Sequence, residues 1–157
     1  MNIRLLFNFW SKASPIEKKI NYTFLKKSIL HKALTHKSIK TSPDANYERL
    51  EFLGDAVIDH VVSQWLFDKY PLADEGELTL KRAAFVKKSF LAKMGKNLNL
   101  LKHAIVSTSL DLNNKKVQKN LLGNIYEAIV GAIFLDGGIK PAQKFIHKFL
   151  IKYEFQV

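Results

Sequence analysis

Cysteine is absent from this 157-residue chain, and proline and glycine are scarce, at four and seven. The first absence excludes a disulfide scaffold, a thiolate zinc site and a cysteine nucleophile, and it suits a reducing cytoplasm. The low Gly and Pro content excludes collagen-like and low-complexity chains. Nor does any apolar run approach the roughly 20 residues that cross a bilayer, so no membrane partner is expected. Met1 to Trp10 is too short for a signal peptide and lacks the small-residue cleavage site. Residues 1–13 read instead as a helical N-terminal extension. The histidines (31, 36, 60, 103 and 147) have no zinc-binding spacing with acids or one another. What the chain does contain is 47% hydrophobic and 25% charged residues. That balance excludes disorder and fits one compact domain over residues 14–157.

The formal charge is +11, an excess that points to a polyanionic partner. Its distribution is uneven. Residues 1–40 carry nine basic side chains and one acid, and residues 79–121 carry ten and one. Between them, residues 41–78 hold nine acids and only two basic residues. An acidic island facing a polyanion would repel phosphates. It makes sense if divalent cations sit between the two, or if the island is a solvated face turned away.

The hydrophobic pattern reads as all helix, with no internal repeat, linker or alternating strand pattern. Ser14-Pro15-Ile16-Glu17 is a capping box with proline at the first helical position. Leu25, Ile29, Leu30, Ala33 and Leu34 recur at helical spacing. A long helix is expected from about Asn46 to Tyr70, stopped by Pro71. A single helix from near Gly76 should carry Leu78, Ala83, Val86, Phe90 and Met94. The polar residues 107–118 read as a mobile loop. Leu121 to Leu135 is apolar nearly all round, which marks a buried central helix ended by Gly137 and Gly138. A last helix should follow Pro141.

Placing the acids on these helices gives geometry. Glu51 and Asp55 are four apart, about 40° around a helix, and Glu48 shares their side. On the buried helix, Asn124 and Glu127 interrupt an otherwise apolar surface. Oxygen ligands from two helices in one cleft would be hard-cation chemistry, suited to Mg²⁺ or Mn²⁺. A buried Glu127 paired with a Lys, Arg or His satisfies the same pattern.

The segment Tyr47-Glu48-Arg49-Leu50-Glu51-Phe52-Leu53-Gly54-Asp55-Ala56-Val57 resembles the signature of the ribonuclease III family of double-stranded-RNA endonucleases. Asn21-Tyr22-Thr23-Phe24 and Ala33-Leu34-Thr35-His36-Lys37-Ser38 resemble its first helices. Asp74-Glu75-Gly76-Glu77-Leu78 and the run from Leu122 through Asn124 and Glu127 to Gly138 resemble its later motifs. The blocks stand in the family's order over about residues 20–150.

The resemblance implies an all-α fold, the helical bundle of a ribonuclease III endonuclease domain. It further implies a homodimer that cuts both strands of an RNA duplex, leaving 5′-phosphate and 3′-hydroxyl ends with short 3′ overhangs. The residues matching Glu51, Asp55 and Glu127 would be catalytic and hold Mg²⁺, with Mn²⁺ a possible substitute and position 124 the fourth ligand. Those matching Glu48 and Glu75 would support the site, and Phe52 would be the apolar knob docked into the partner subunit. Two departures stand out. The family's usual Asp at position 124 is Asn here, as in some family domains. The longer members also continue into a double-stranded-RNA-binding domain, so this chain reads as a minimal or truncated form. RNA grip is then expected from Lys81, Arg82, Lys87, Lys88, Lys115, Lys116 and Lys119. The alternative is a catalytically silent domain of the same family that binds structured RNA in a ribosomal or processing complex. A basic helical module that binds an acidic protein or lipid surface would leave the acidic island unexplained.

Overall fold

The computed structural model describes residues 13–39, 42 and 44–156. The expected extension over residues 1–13 therefore lies almost wholly outside the described residues. Among the described residues there are seven α-helices, in order α1 (Pro15–Ile20), α2 (Lys27–Leu34), α3 (Glu48–Lys69), α4 (Glu75–Val86), α5 (Lys88–Asn97), α6 (Lys115–Gly137) and α7 (Ile139–Phe149). Short 3₁₀ turns occupy Leu100–His103 and Ile151–Gln156. Among the described residues there is no strand. A single parallel bridge joins Thr35 to Ile105, and it pins the chain after the first 3₁₀ turn to the end of α2. The architecture is all-α.

The centre of the bundle is α6. From Leu121 to Ile133 nearly every side chain is buried, because α3 and α5 pack along it and α2 and α7 close the remaining sides. An all-round apolar sequence has no solvent face to offer, and a central position is the only one that buries it. The tightest crossing is with α3. A Cβ on Gly54 would lie 1.8 Å from the carbonyl oxygen of Glu127, and one on Gly131 would lie 2.1 Å from that of Leu50. The two helices meet backbone to backbone there, which no residue larger than glycine permits.

The capping box at Ser14 forms. Its hydroxyl accepts from the Glu17 amide, and the Glu17 carboxylate accepts from the Ser14 amide at 2.7 Å. Asp74 and Glu77 make the same reciprocal pair at the start of α4.

Three expected boundaries move. The single helix past Gly76 is two helices, α4 and α5, separated at Lys87, whose φ/ψ of −59°/134° is extended. The apolar positions stay roughly in helical phase across this break, so periodicity does not reveal it. The polar stretch expected as loop to residue 118 instead enters α6 at Lys115. There the Asn114 side chain accepts from the amides of Lys116 and Val117, and the first turn is polar because it is exposed. The last helix begins at Ile139, before Pro141. Proline is tolerated at its third position because the first four helical amides have no intrahelical acceptor. Leu25, expected on the face of the second helix, lies ahead of α2 and is 84% exposed.

Candidate active site

The α3–α6 crossing brings the two acid-bearing stretches together. Glu51 and Asp55 lie on α3 on either side of Gly54, and Glu127 lies on α6 at the contact itself. Glu127 is 4% exposed, so its charge requires a partner. The partner is Lys88, the first residue of α5. Its Nζ donates to Glu127 Oε2 at 2.6 Å and to Asn124 Oδ1 at 2.8 Å, and it stands 3.5 Å from Glu51 Oε1. Three oxygens from two helices thus converge on one cationic nitrogen.

Asn124 is oriented from both ends. Its Oδ1 faces the lysine, and its Nδ2 donates to the hydroxyl of Tyr47 at 3.1 Å. Tyr47 is itself buried, and burial pushes its phenol up to about 12, opposed by the Asn124 hydrogen bond. Burial also raises the Glu127 carboxyl above its ordinary value. Lys88 pulls it back down, and the charges of Glu51 and Asp55 add to the rise. Glu51 is raised by burial too, again against Lys88 and with a further push from Glu48. One turn beyond Asp55, Asp59 keeps a carboxylate oxygen buried without a hydrogen-bond partner.

The other expected site residues are spread around this centre. Glu48 is exposed at the start of α3 and paired with Lys37 at 3.0 Å. Glu75 is not brought to the lysine. It opens α4, accepts from the Thr79 hydroxyl at 2.9 Å and lines a cleft with His60, Ser63 and Arg82. Phe52 projects from α3 at 81% exposure, beside a groove formed by Lys32, Arg49, Leu53 and the half-exposed Leu135. Among the basic residues, Lys87, Lys115, Lys116 and Lys119 are exposed. Lys81 is also exposed and lies over the Tyr70 ring at 4.5 Å. Arg82 donates to Ser63 at 3.2 Å. Lys88, expected among the phosphate contacts, lies inside the acidic centre instead. The Lys, Arg or His partner expected for a buried Glu127 is thus present as Lys88, although the sequence placed that lysine among the phosphate contacts, and the Tyr47–Asn124 bond was not expected. Gly123 does not mark the pairing in the sequence, because Ala128, Gly131 and Ala132 are comparably small in the same run.

Does this donor set suit a divalent ion? Among the described residues, no three His, Asp or Glu side chains close up as a ready-made metal cage. The donors around the ammonium are nonetheless all oxygen, they are partly desolvated, and two of the three are carboxylates. That is the preference of a hard cation such as Mg²⁺. In this structure the Lys88 ammonium is the cation at that point.

Comparison with known proteins gives the family. The model described as Ribonuclease-III-like matches residues 26–153. The chain belongs to the ribonuclease III family. It is 45% identical to Ribonuclease 3 of a Nitratiruptor species over 85% of this chain and 58% of that protein. To Ribonuclease 3 of Ehrlichia canis it is 46% identical over 85% of this chain and 60% of that protein. The chain thus spans less than two thirds of the length of these ribonuclease III relatives. The solved nuclease domain of Ribonuclease III from Campylobacter jejuni, a structure noted for flexibility in a region involved in dimer formation, superposes with a TM-score of 0.83. It is 40% identical and covers 90% of this chain and 97% of that domain. Among the described residues, no helix is long and apolar enough to cross a membrane.

Proposed function

We propose that the chain is a ribonuclease III-type endonuclease domain that cleaves double-stranded RNA with Mg²⁺, for which Mn²⁺ can substitute. The observation that carries this reading is the convergence of Glu51, Asn124 and Glu127 oxygens on one cationic point beside Asp55. Three carboxylates, Glu51, Asp55 and Glu127, act on one another there against a single ammonium, and the negative charge left over is what a divalent ion would neutralise.

Glu51, Asp55, Asn124 and Glu127 hold the metal in this reading, and the three carboxylates are the catalytic residues. When bound, the ion supplies Lewis-acid activation at the scissile phosphate. The protein contributes position. The Gly54–Gly131 crossing sets the separation of α3 and α6, and so of Glu51 from Glu127. Tyr47 turns the Asn124 carbonyl toward the cation. Burial of Glu127 excludes water from one side of the site and strengthens its attraction for a cation. Glu48 supports the site through its charge on Glu51, and Glu75 does so less directly, from the separate cleft at the start of α4. The products carry 5′-phosphate and 3′-hydroxyl ends with short 3′ overhangs.

The working form is a homodimer in which Phe52 of each subunit docks into the other. An aromatic ring 81% exposed beside a groove is a surface in want of a partner. The exposed Lys81, Lys87, Lys115, Lys116 and Lys119 meet duplex phosphates, with the half-buried Arg82 beside them. Such contacts fix position and carry no sequence information. Specificity then comes from A-form shape and 2′-hydroxyls in the shallow minor groove.

The test is cleavage of matched duplex RNA, single-stranded RNA and duplex DNA in Mg²⁺ across a salt series. Duplex RNA alone should be cut efficiently, with weak sequence preference and binding that falls steeply with salt. Comparable cutting of either other substrate overturns the assignment.

A further inference from the structure

Lys88 is an unusual tenant for a metal site, and the structure accommodates its whole length. The residue opens α5 immediately after the extended Lys87, and that break turns its side chain across α6. Its aliphatic stem passes over Gly123. A Cβ there would fall 2.4 Å from Lys88 Cδ and 3.1 Å from Cγ. A glycine on one helix thus leaves the channel that a lysine from another helix fills. The ammonium at its tip meets Glu127, Asn124 and Glu51 together.

We infer that Lys88 is a tethered cation occupying the metal position, so that metal binding exchanges the ammonium for a divalent ion. This rests on the metal reading of the site given above. The chemistry supports an exchange over coexistence. Glu127 Oε2 and Asn124 Oδ1 already spend their inward lone pairs on the ammonium, and a divalent ion at the same point would meet a like charge at ligand distance. The lysine also removes a cost. Without a cation, Glu51, Asp55 and Glu127 repel one another around a buried carboxylate. The tethered ammonium neutralises that repulsion until metal arrives. At 38% side-chain exposure, Lys88 has an open path outward once displaced.

The experiment titrates Mn²⁺, and separately Mg²⁺, into chelator-stripped parent, Lys88→Met and Gly123→Ala proteins by calorimetry. Melting curves in EDTA and in metal accompany the titrations. Gly123→Ala leaves the charge in place and pushes only the lysine stem aside, so it covers the case in which Lys88→Met folds poorly. Both variants should bind metal more tightly, on the order of tenfold. Lys88→Met should melt lower than the parent in EDTA, and metal should restore more of its stability than it does in the parent, by linkage. Unchanged or weaker metal affinity in both variants overturns the exchange while leaving the metal site standing. Absence of binding in all three proteins overturns the metal reading and the exchange with it.

Discussion

The carbonyl oxygen of Glu127 occupies the space that a side chain on Gly54 would need: a Cβ placed there would lie 1.8 Å from that oxygen. The contact sets the distance between the helix that carries Glu51 and Asp55 and the helix that carries Glu127. Stability and chemistry therefore depend on the same glycine. Gly54→Ala forces two backbones apart where no flexible side chain can yield. It should cost about 3 kcal/mol or more, at the upper end of overpacking, and should abolish cleavage in whatever fraction still folds. Urea denaturation beside a cleavage assay checks both.

Asn124→Asp is a different kind of change at the same centre. Tyr47 can accommodate it, because a hydroxyl that accepts from the Asn amide can instead donate to a carboxylate. The added charge should tighten Mg²⁺ binding and raise cleavage when Mg²⁺ is limiting. It should lower the melting temperature in EDTA, with a larger recovery in Mg²⁺ than the parent shows. If Asp destabilises equally with and without metal and never raises activity, Asn124 is a buried structural amide.

Phe52→Ala tests the dimer. Burying the ring against a partner contributes about 1.5–3 kcal/mol per subunit from transfer alone. Its loss should shift the monomer–dimer equilibrium in sedimentation and lower cleavage in parallel. A fully active monomer, or an unchanged dimer in the variant, speaks against the knob.

Far from the site, Glu17 is buried and accepts from the amides of Ser14 and Phe24 while paired with Lys27. Burial pushes its carboxyl up, but Lys27 and the Ser14 and Phe24 hydrogen bonds outweigh that and leave it below its ordinary 4.5. A carboxylate with a depressed folded-state value contributes stability above its unfolded value and loses it as pH falls through the folded one. Glu17→Gln should therefore cost about 1.5–3 kcal/mol at neutral pH. The gap between parent and variant should close as pH drops below about 4.5. A gap independent of pH would mean that the charge is not what matters.

Much of this architecture is legible in the amino-acid sequence. The nearly all-apolar run of α6 could only be central, and the fourfold spacing of Glu51 and Asp55 placed both on one face of α3. The break at Lys87 was not legible, because Val86 and Phe90 keep helical spacing across it and no Gly or Pro marks it. The start of α6 at Lys115 was hidden for the opposite reason, since an exposed first turn looks like a loop and only Asn114 signals the cap. In the site, the acids announced themselves by charge within an apolar setting. Lys88 did not, because it sits beside Lys87 in a basic stretch where nothing local separates an inward lysine from an outward one. Only the fold distinguishes the two, by carrying α5 against Gly123.

In the function proposed above, cutting at the Glu51–Glu127 centre depends on metal. The most direct measurement is cleavage of an end-labelled RNA duplex by the parent protein in Mg²⁺, the same reaction in EDTA, and Glu127→Gln in Mg²⁺, with the product ends mapped. The parent in Mg²⁺ should release fragments with 5′-phosphates and short 3′ overhangs. Chelation and the Glu127→Gln change should each reduce the rate at least about a hundredfold, the scale expected when a group that stabilises transition-state charge is lost. Cutting that persists in EDTA, or a Glu127→Gln protein as active as the parent, would contradict it.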